Sequence, residues 1–330
     1  MSSPPEQRAP DLSAEALHDP PWLDAARRVP REELVVPWRG VDLRAYAWGD
    51  RALPGLVITH GFMAHAMCLW HVAALLSGRF RVVAYDLAGM GDSPLPADFD
   101  TSERGEELLA VADATGIDAN GAPFLVSHSQ GGHSAMSAIE LAPERFRALL
   151  LTDMMMLPEE AVGSRMKTRE RLRGGVRPHR VYATWPEIRA RFKLAPAQPC
   201  ANPVLLEEVA WRSVRELDDG GFTWKFDPRV LVTDGHDAAW WMAQPERFAR
   251  LKLPRAIVYG ENSQVFDQRS VRLMSELTGG RVPIVGIPEA HHHLMLDQPL
   301  AFVAALRALL SSWSCASEVL PAVAMREGEG

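Results

Sequence analysis

Ser129 stands in the run Ser127-His-Ser-Gln-Gly131, and three histidines stand together at His291, His292 and His293. A hydroxyl beside an imidazole base is the minimal pair for nucleophilic catalysis. The serine follows the apolar run Phe124-Leu-Val-Ser127 and precedes the small residues of 131–142. That context predicts a tight strand-to-helix turn with the hydroxyl projecting from a sheet and the helix N-terminus adding amide donors. Small residues two positions either side of the serine keep such a turn free of clashes. The usual pattern is Gly-x-Ser-x-Gly, and Ser127 stands here in place of the first glycine. A second loop, His60-Gly61-Phe62, follows the apolar run 56–59, and its glycine lets the backbone turn close to a substrate. The main-chain amides of Phe62 and Gln130 are the candidate oxyanion donors. His60 reads as a packing or hydrogen-bonding residue rather than an acid or base. The three adjacent histidines on one loop cannot all face a single ion, and no acid or cysteine lies at ligand spacing from them. No metal is expected, and one of the three is expected to be the base for Ser129.

The elements that must carry these loops are short apolar runs with helical patterns between them. Runs at 41–48, 56–59, 81–85, 124–127, 148–152, 256–259 and 282–287 read as strands, the first alternating and most of the others continuous as in buried parallel strands. Helical patterns occupy 103–115, 131–142, 268–278 and 299–313, with Pro299 suited to a first turn. The alternation predicts an α/β fold with a mostly parallel, doubly wound sheet, whose sites lie at the C-terminal ends of strands. From about 154 to 250 the rhythm breaks into arginine-rich helical pieces, prolines and five of the ten tryptophans. This stretch is too long for a plain loop and reads as a helical cap inserted into the core. The expected divisions are an N-terminal arm at 1–33, core at 34–153 and 251–316, the cap at 154–250, and a tail at 317–330.

Composition excludes several classes. The chain has 330 residues, 47% of them hydrophobic and 23% charged, so a large core needs no disulfide or metal staple. A net charge of −7 argues against a general nucleic-acid binder. Three cysteines, Cys68, Cys200 and Cys315, make neither a disulfide framework nor a zinc cluster. The first residues lack a basic start followed by an apolar run, and no window approaches a membrane span, so a cytoplasmic location is expected.

With these pieces in order, the chain resembles the α/β-hydrolase superfamily from about residue 35 to 313. The resemblance rests on His60-Gly61-Phe62, the loop 86–93, His128-Ser129-Gln130-Gly131-Gly132 and the late histidine. In that family the catalytic histidine is commonly followed five residues later by an acid, then x-Pro and a helix. Asp297-Gln-Pro299 therefore selects His292. Asp86 and Asp92 match a loop that looks structural in the family. The acid departs from the family's usual place, because Ser263 and Gln264 stand where it is sought, with Glu261 too early and Asp267 too late. Haloalkane dehalogenases and zearalenone-type lactone hydrolases are similar to one another in carrying the acid after the preceding core strand. Here that residue is Asp153, 24 residues after Ser129. Asp267, Glu261 and an absent acid are the alternatives.

The resemblance implies a cofactor-free serine hydrolase of a small ester or lactone. Met154, Met155, Trp185 and Trp224 are the candidate substrate contacts, the methionines as adaptable apolar groups at the site mouth. A serine nucleophile argues against dehalogenase or epoxide-hydrolase chemistry. Carbon–carbon cleavage of the meta-cleavage type and a non-catalytic binding protein on the same fold are the alternatives. Arginines at 165–180 read as a solvated helical face, or as a means of capturing a substrate carboxylate.

Overall fold

The computed structural model describes residues 20–160, 162, 176–233 and 237–324. An eight-stranded sheet forms the centre, in the order β1-β2-β4-β3-β5-β6-β9-β10. Its strands are β1 (Arg31–Trp38), β2 (Val41–Trp48), β3 (Gly55–Thr59), β4 (Arg81–Tyr85), β5 (Phe124–His128), β6 (Ala148–Thr152), β9 (Arg255–Gly260) and β10 (Ile284–Ile287). Only β2 runs against the rest; the pairs from β4 to β10 are parallel. β3, β4, β5 and β6 are buried along their whole length, which is why they read as continuous apolar runs.

Alternate strand residues feed two separate cores. Val57, Val83, Leu125, Leu149 and Leu151 face one layer. That layer holds helices α3 (Arg104–Thr115), α4 (Gly131–Leu141), α8 (Ala238–Arg250) and α9 (Gln268–Thr278). Leu56, Ile58, Phe124, Val126 and Leu150 face the other. Its helices are α1 (Pro21–Arg27), α2 (Trp70–Leu76) and α10 (Pro299–Ala324). This double layering is the physical content of the predicted doubly wound sheet.

Between β6 and β9 lies an inserted segment with α5 (Trp185–Arg189), α6 (Pro203–Arg212), the hairpin β7 (Val214–Glu216) and β8 (Phe222–Trp224), α7 (Val230–Thr233) and α8. The segment is not purely helical, since Tyr182 bridges to Phe222 beside the hairpin. Residues 163–175, which include most of the arginine-rich stretch, lie outside the described residues. No helix among the described residues is long and apolar enough to cross a membrane.

Two boundaries differ from expectation. The stretch 1–33 is not all arm: α1 buries Leu23 and Ala26, and β1 begins at Arg31. β1 escapes a pattern search because it opens on Arg31, Glu32 and Glu33 and contains Pro37. An edge strand tolerates both, since one side needs no ladder partner. The last helix runs beyond Trp313 to Ala324, across the expected 316/317 boundary.

Candidate functional site

The register of β5 and β6 fixes the centre of the site. His128 pairs with Thr152, so Ser129 and Asp153 leave neighbouring parallel strands side by side. The Ser129 amide donates to the Thr152 carbonyl at 2.9 Å, and the Asp153 amide to the Val258 carbonyl at 2.8 Å. Both residues are left-handed, Ser129 at φ 51° and Asp153 at φ 47°. Such backbone is costly for a side chain, and each residue is fixed by the strand before it and by its amide hydrogen bond. The turn leaves little room for side chains beside it. A methyl group on Gly131 would lie 2.6 Å from the His60 carbonyl oxygen, and one on Gly61 would lie 3.1 Å from Cβ of Ser129.

Asp153 is fully buried and accepts three hydrogen bonds. Its Oδ2 takes the Gly260 amide at 2.8 Å. Its Oδ1 takes the Ser263 hydroxyl at 2.6 Å and Nδ1–H of His292 at 2.8 Å. Ser263 in turn accepts from the Val265 amide at 3.0 Å, which aims its proton at Asp153. Thus a serine at the usual acid position supports an acid on the preceding strand. Asp267 caps α9, accepting the Arg269 and Ser270 amides, and pairs with Arg269. Glu261 is exposed. Neither reaches the histidine loop by a hydrogen bond among the described residues.

The other two histidines of the triplet have separate employment. His291 is tied to Asp297 through its amide at 2.8 Å and its ring at 3.2 Å. Asp297 thus fastens the loop that carries His292. The His293 amide donates to Oε1 of Gln198 in the inserted segment at 2.9 Å, and Gln198 Nε2 donates to Asp297 at 3.0 Å. Asn202 adds a donor to the Leu296 carbonyl at 2.6 Å. His128, overlooked in the sequence, donates from Nε2 to the His292 carbonyl at 3.0 Å and packs its ring 4.7 Å from that of His292. His60 donates to the Gly61 carbonyl and accepts the Leu87 amide, a hydrogen-bonding role. No metal-binding cluster exists among the described residues.

A cavity of about 390 Å³ adjoins these loops. Its wall includes Phe62 and Trp224, together with Gly61, His128 and His293. Ser129 and His292 do not line it; each lies against a lining residue, Ser129 against Gly61 and His292 against His128. Of the expected substrate contacts, Met154, Met155 and Trp185 do not line this cavity. Met154 is buried in the space that the absent side chain of Gly132 leaves. Met155 packs with Leu157, Val162 and Trp241, and Trp185 packs edge-on against Trp211.

Burial disfavours the charged form of five histidines near the site. It lowers His60 and His293 to about 3 and His71 to about 4, with His65 and His128 also well below 6.5. A histidine depressed in the folded state contributes stability above its unfolded value near 6.5. That contribution is lost as pH falls toward the folded values. Unfolding free energy is therefore expected to fall between pH 6.5 and 4, by roughly 1 kcal/mol per pH unit for each such histidine. Urea midpoints measured across that range check this, and a flat curve from pH 7 to 5 would refute it.

Comparison with known proteins places this geometry among relatives. The model of a family described as alpha/beta hydrolase matches residues 56–306. Esterase Rv0045c of Mycobacterium tuberculosis is 27% identical over 274 residues, 82% of this chain and 87% of that one. The crystal structure of Rv0045c superposes with a TM-score of 0.66 at 20% identity, covering 88% of this chain and 96% of that chain. The structure of E-2-(acetamidomethylene)succinate hydrolase has a TM-score of 0.71 at 19% identity, over 86% of this chain and 100% of the other.

Proposed function

Because the chain belongs to the alpha/beta hydrolase family, we propose that it is a serine hydrolase of a carboxylic ester or lactone with a largely apolar body. The observation that carries this reading is the buried 2.8 Å hydrogen bond from His292 Nδ1 to Asp153. It selects the tautomer whose Nε2 is free of a proton and ready to act as a base. His292 Nε2 takes the proton of Ser129 as Oγ bonds to the substrate carbonyl carbon. Charge moves onto the carbonyl oxygen, where the amides of Phe62 and Gln130 hold it. Collapse breaks the bond to the alcohol, which leaves with the proton from His292. Water then gives a proton to Nε2 and attacks the acyl carbon. The second collapse returns the proton to Ser129 and releases the acid. Asp153 stays ionised throughout and steadies the imidazolium. The scheme uses no metal or cofactor. The inserted segment, residues 154–250, acts as a cap that shapes the substrate cavity.

The relationship to an esterase supports the ester among the possible bonds. A fluorophosphonate probe is expected to label the wild type at Ser129 and to leave Ser129→Ala unlabelled, read by mass spectrometry. Esters or lactones in a panel are expected to turn over. No labelling and no turnover would make this a binding protein on the same fold. Turnover of a dienoate ketone alone would move the reading to carbon–carbon cleavage, which uses the same three side chains.

A further inference from the structure

The cavity beside the site has a charge pattern unlike that of the chain. The chain carries −7 overall, yet the cavity wall holds Arg191, Lys193 and Lys225 and no aspartate or glutamate. Arg191 and Lys193 alternate with Phe192 and Leu194, which pack into the second core. That anchoring leaves the two cations exposed at the cavity rim. Neither makes an ion pair among the described residues. Lys225 enters from the far end of the hairpin, its side chain 15% exposed and its ammonium 2.6 Å from Asp92. An ammonium has three donors, so two remain for a ligand. The imidazoles of His65 and His293, also in the wall, add no charge, because burial keeps them neutral. Between the cations the wall is apolar and aromatic, with Phe62, Leu69, Phe226 and Met295. Two cations without an ion pair and a third shared with Asp92 give the cleft a positive potential, which draws anions. Apolar walls with a cationic rim fit an apolar body that ends in an oxyanion.

We propose that the substrate carries an anionic headgroup, a carboxylate or a phosphate, held by Arg191, Lys193 and Lys225 at a distance from the bond that Ser129 attacks. This deepens the serine-hydrolase reading and rests on it.

Three p-nitrophenyl esters of one chain length test it: hexanoate, the adipate half-ester, and 6-phosphohexanoate. An anionic ester is expected to exceed hexanoate in kcat/KM by about tenfold at low salt, with the preference fading at high salt. The better of the two anions identifies the headgroup. Arg191→Gln with Lys193→Gln is expected to shrink the anionic-to-neutral ratio about tenfold. Calorimetric titration of the Ser129→Ala protein with monomethyl and dimethyl adipate, and with methyl 6-phosphohexanoate, reads the same preference without turnover. It therefore separates failure of this inference from failure of the hydrolase reading. Equal binding of charged and neutral ligands, or a ratio unmoved by the double substitution, would overturn the proposal.

Discussion

Ser129→Ala is expected to lower kcat on a p-nitrophenyl ester by about 10⁵-fold, the scale at which loss of a triad nucleophile leaves only binding and oxyanion stabilisation. The thermal midpoint is expected to move little, because Ala keeps both the left-handed backbone and the neighbouring contacts. Ser129→Gly separates backbone from chemistry. It abolishes turnover equally, yet it is expected to stabilise the fold by about 1 kcal/mol by relieving φ 51°. Urea unfolding of the two variants reads the difference. Ser129→Ala activity within a hundredfold of wild type would remove Ser129 as nucleophile.

Asp153→Asn has the next largest expected effect, a fall in kcat of about 10⁴-fold. Three donors converge on the two carboxylate oxygens: Gly260, Ser263 and His292. An amide offers one oxygen, so its NH₂ must face a donor. With NH₂ in place of Oδ1, His292 loses the partner that fixes its tautomer and Ser263 its acceptor; with NH₂ in place of Oδ2, Gly260 loses its acceptor. A stability loss of roughly 1–3 kcal/mol should accompany the change. The rescue experiment is specific. The Ser263 hydroxyl lies 2.6 Å from Asp153 Oδ1, so Ser263→Asp added to Asp153→Asn puts a carboxylate back within reach of His292. At least tenfold recovery is expected. Near-wild-type activity in Asp153→Asn itself would pass the role to Asp267 or Glu261.

Much of the sheet was legible because burial on both faces leaves a direct chemical trace. Apolar runs of four or five residues end in Asp153, Gly260 or the Ser129 loop, and each became a strand of the sheet. β1 left no such trace, since half of an edge strand meets water and only Val36 and Trp38 are buried there. The pairing of Asp153 with His292 was legible as a possibility but not as a choice. It depends on the register of β5 with β6 and on the loop after β9, which bring residues 139 positions apart to one hydrogen bond. Ser263 was noticed only as a missing acid, and its hydroxyl is a partner to the acid instead. Side-chain direction was the weakest inference. Met154 follows Asp153 directly, but Gly132 opens a hole beside the sheet and the thioether fills it. Trp224 and Trp185 are equally aromatic, and only the packing of the hairpin decides that Trp224 meets the cavity.

The stitching of Gln198 and Asn202 to the histidine loop bears on how this protein could be remade. Segment exchange between relatives assumes that the part choosing the substrate and the part breaking the bond are separate modules. Here they share hydrogen bonds. Replacing the inserted segment with that of a relative would import new walls and, in the same stroke, strip the fastenings of Asp297 and His293. A chimera would then inherit a new preference together with a loosened base. Grafts that keep 195–202 native and vary only the hairpin and α6 offer the cleaner route to a changed specificity.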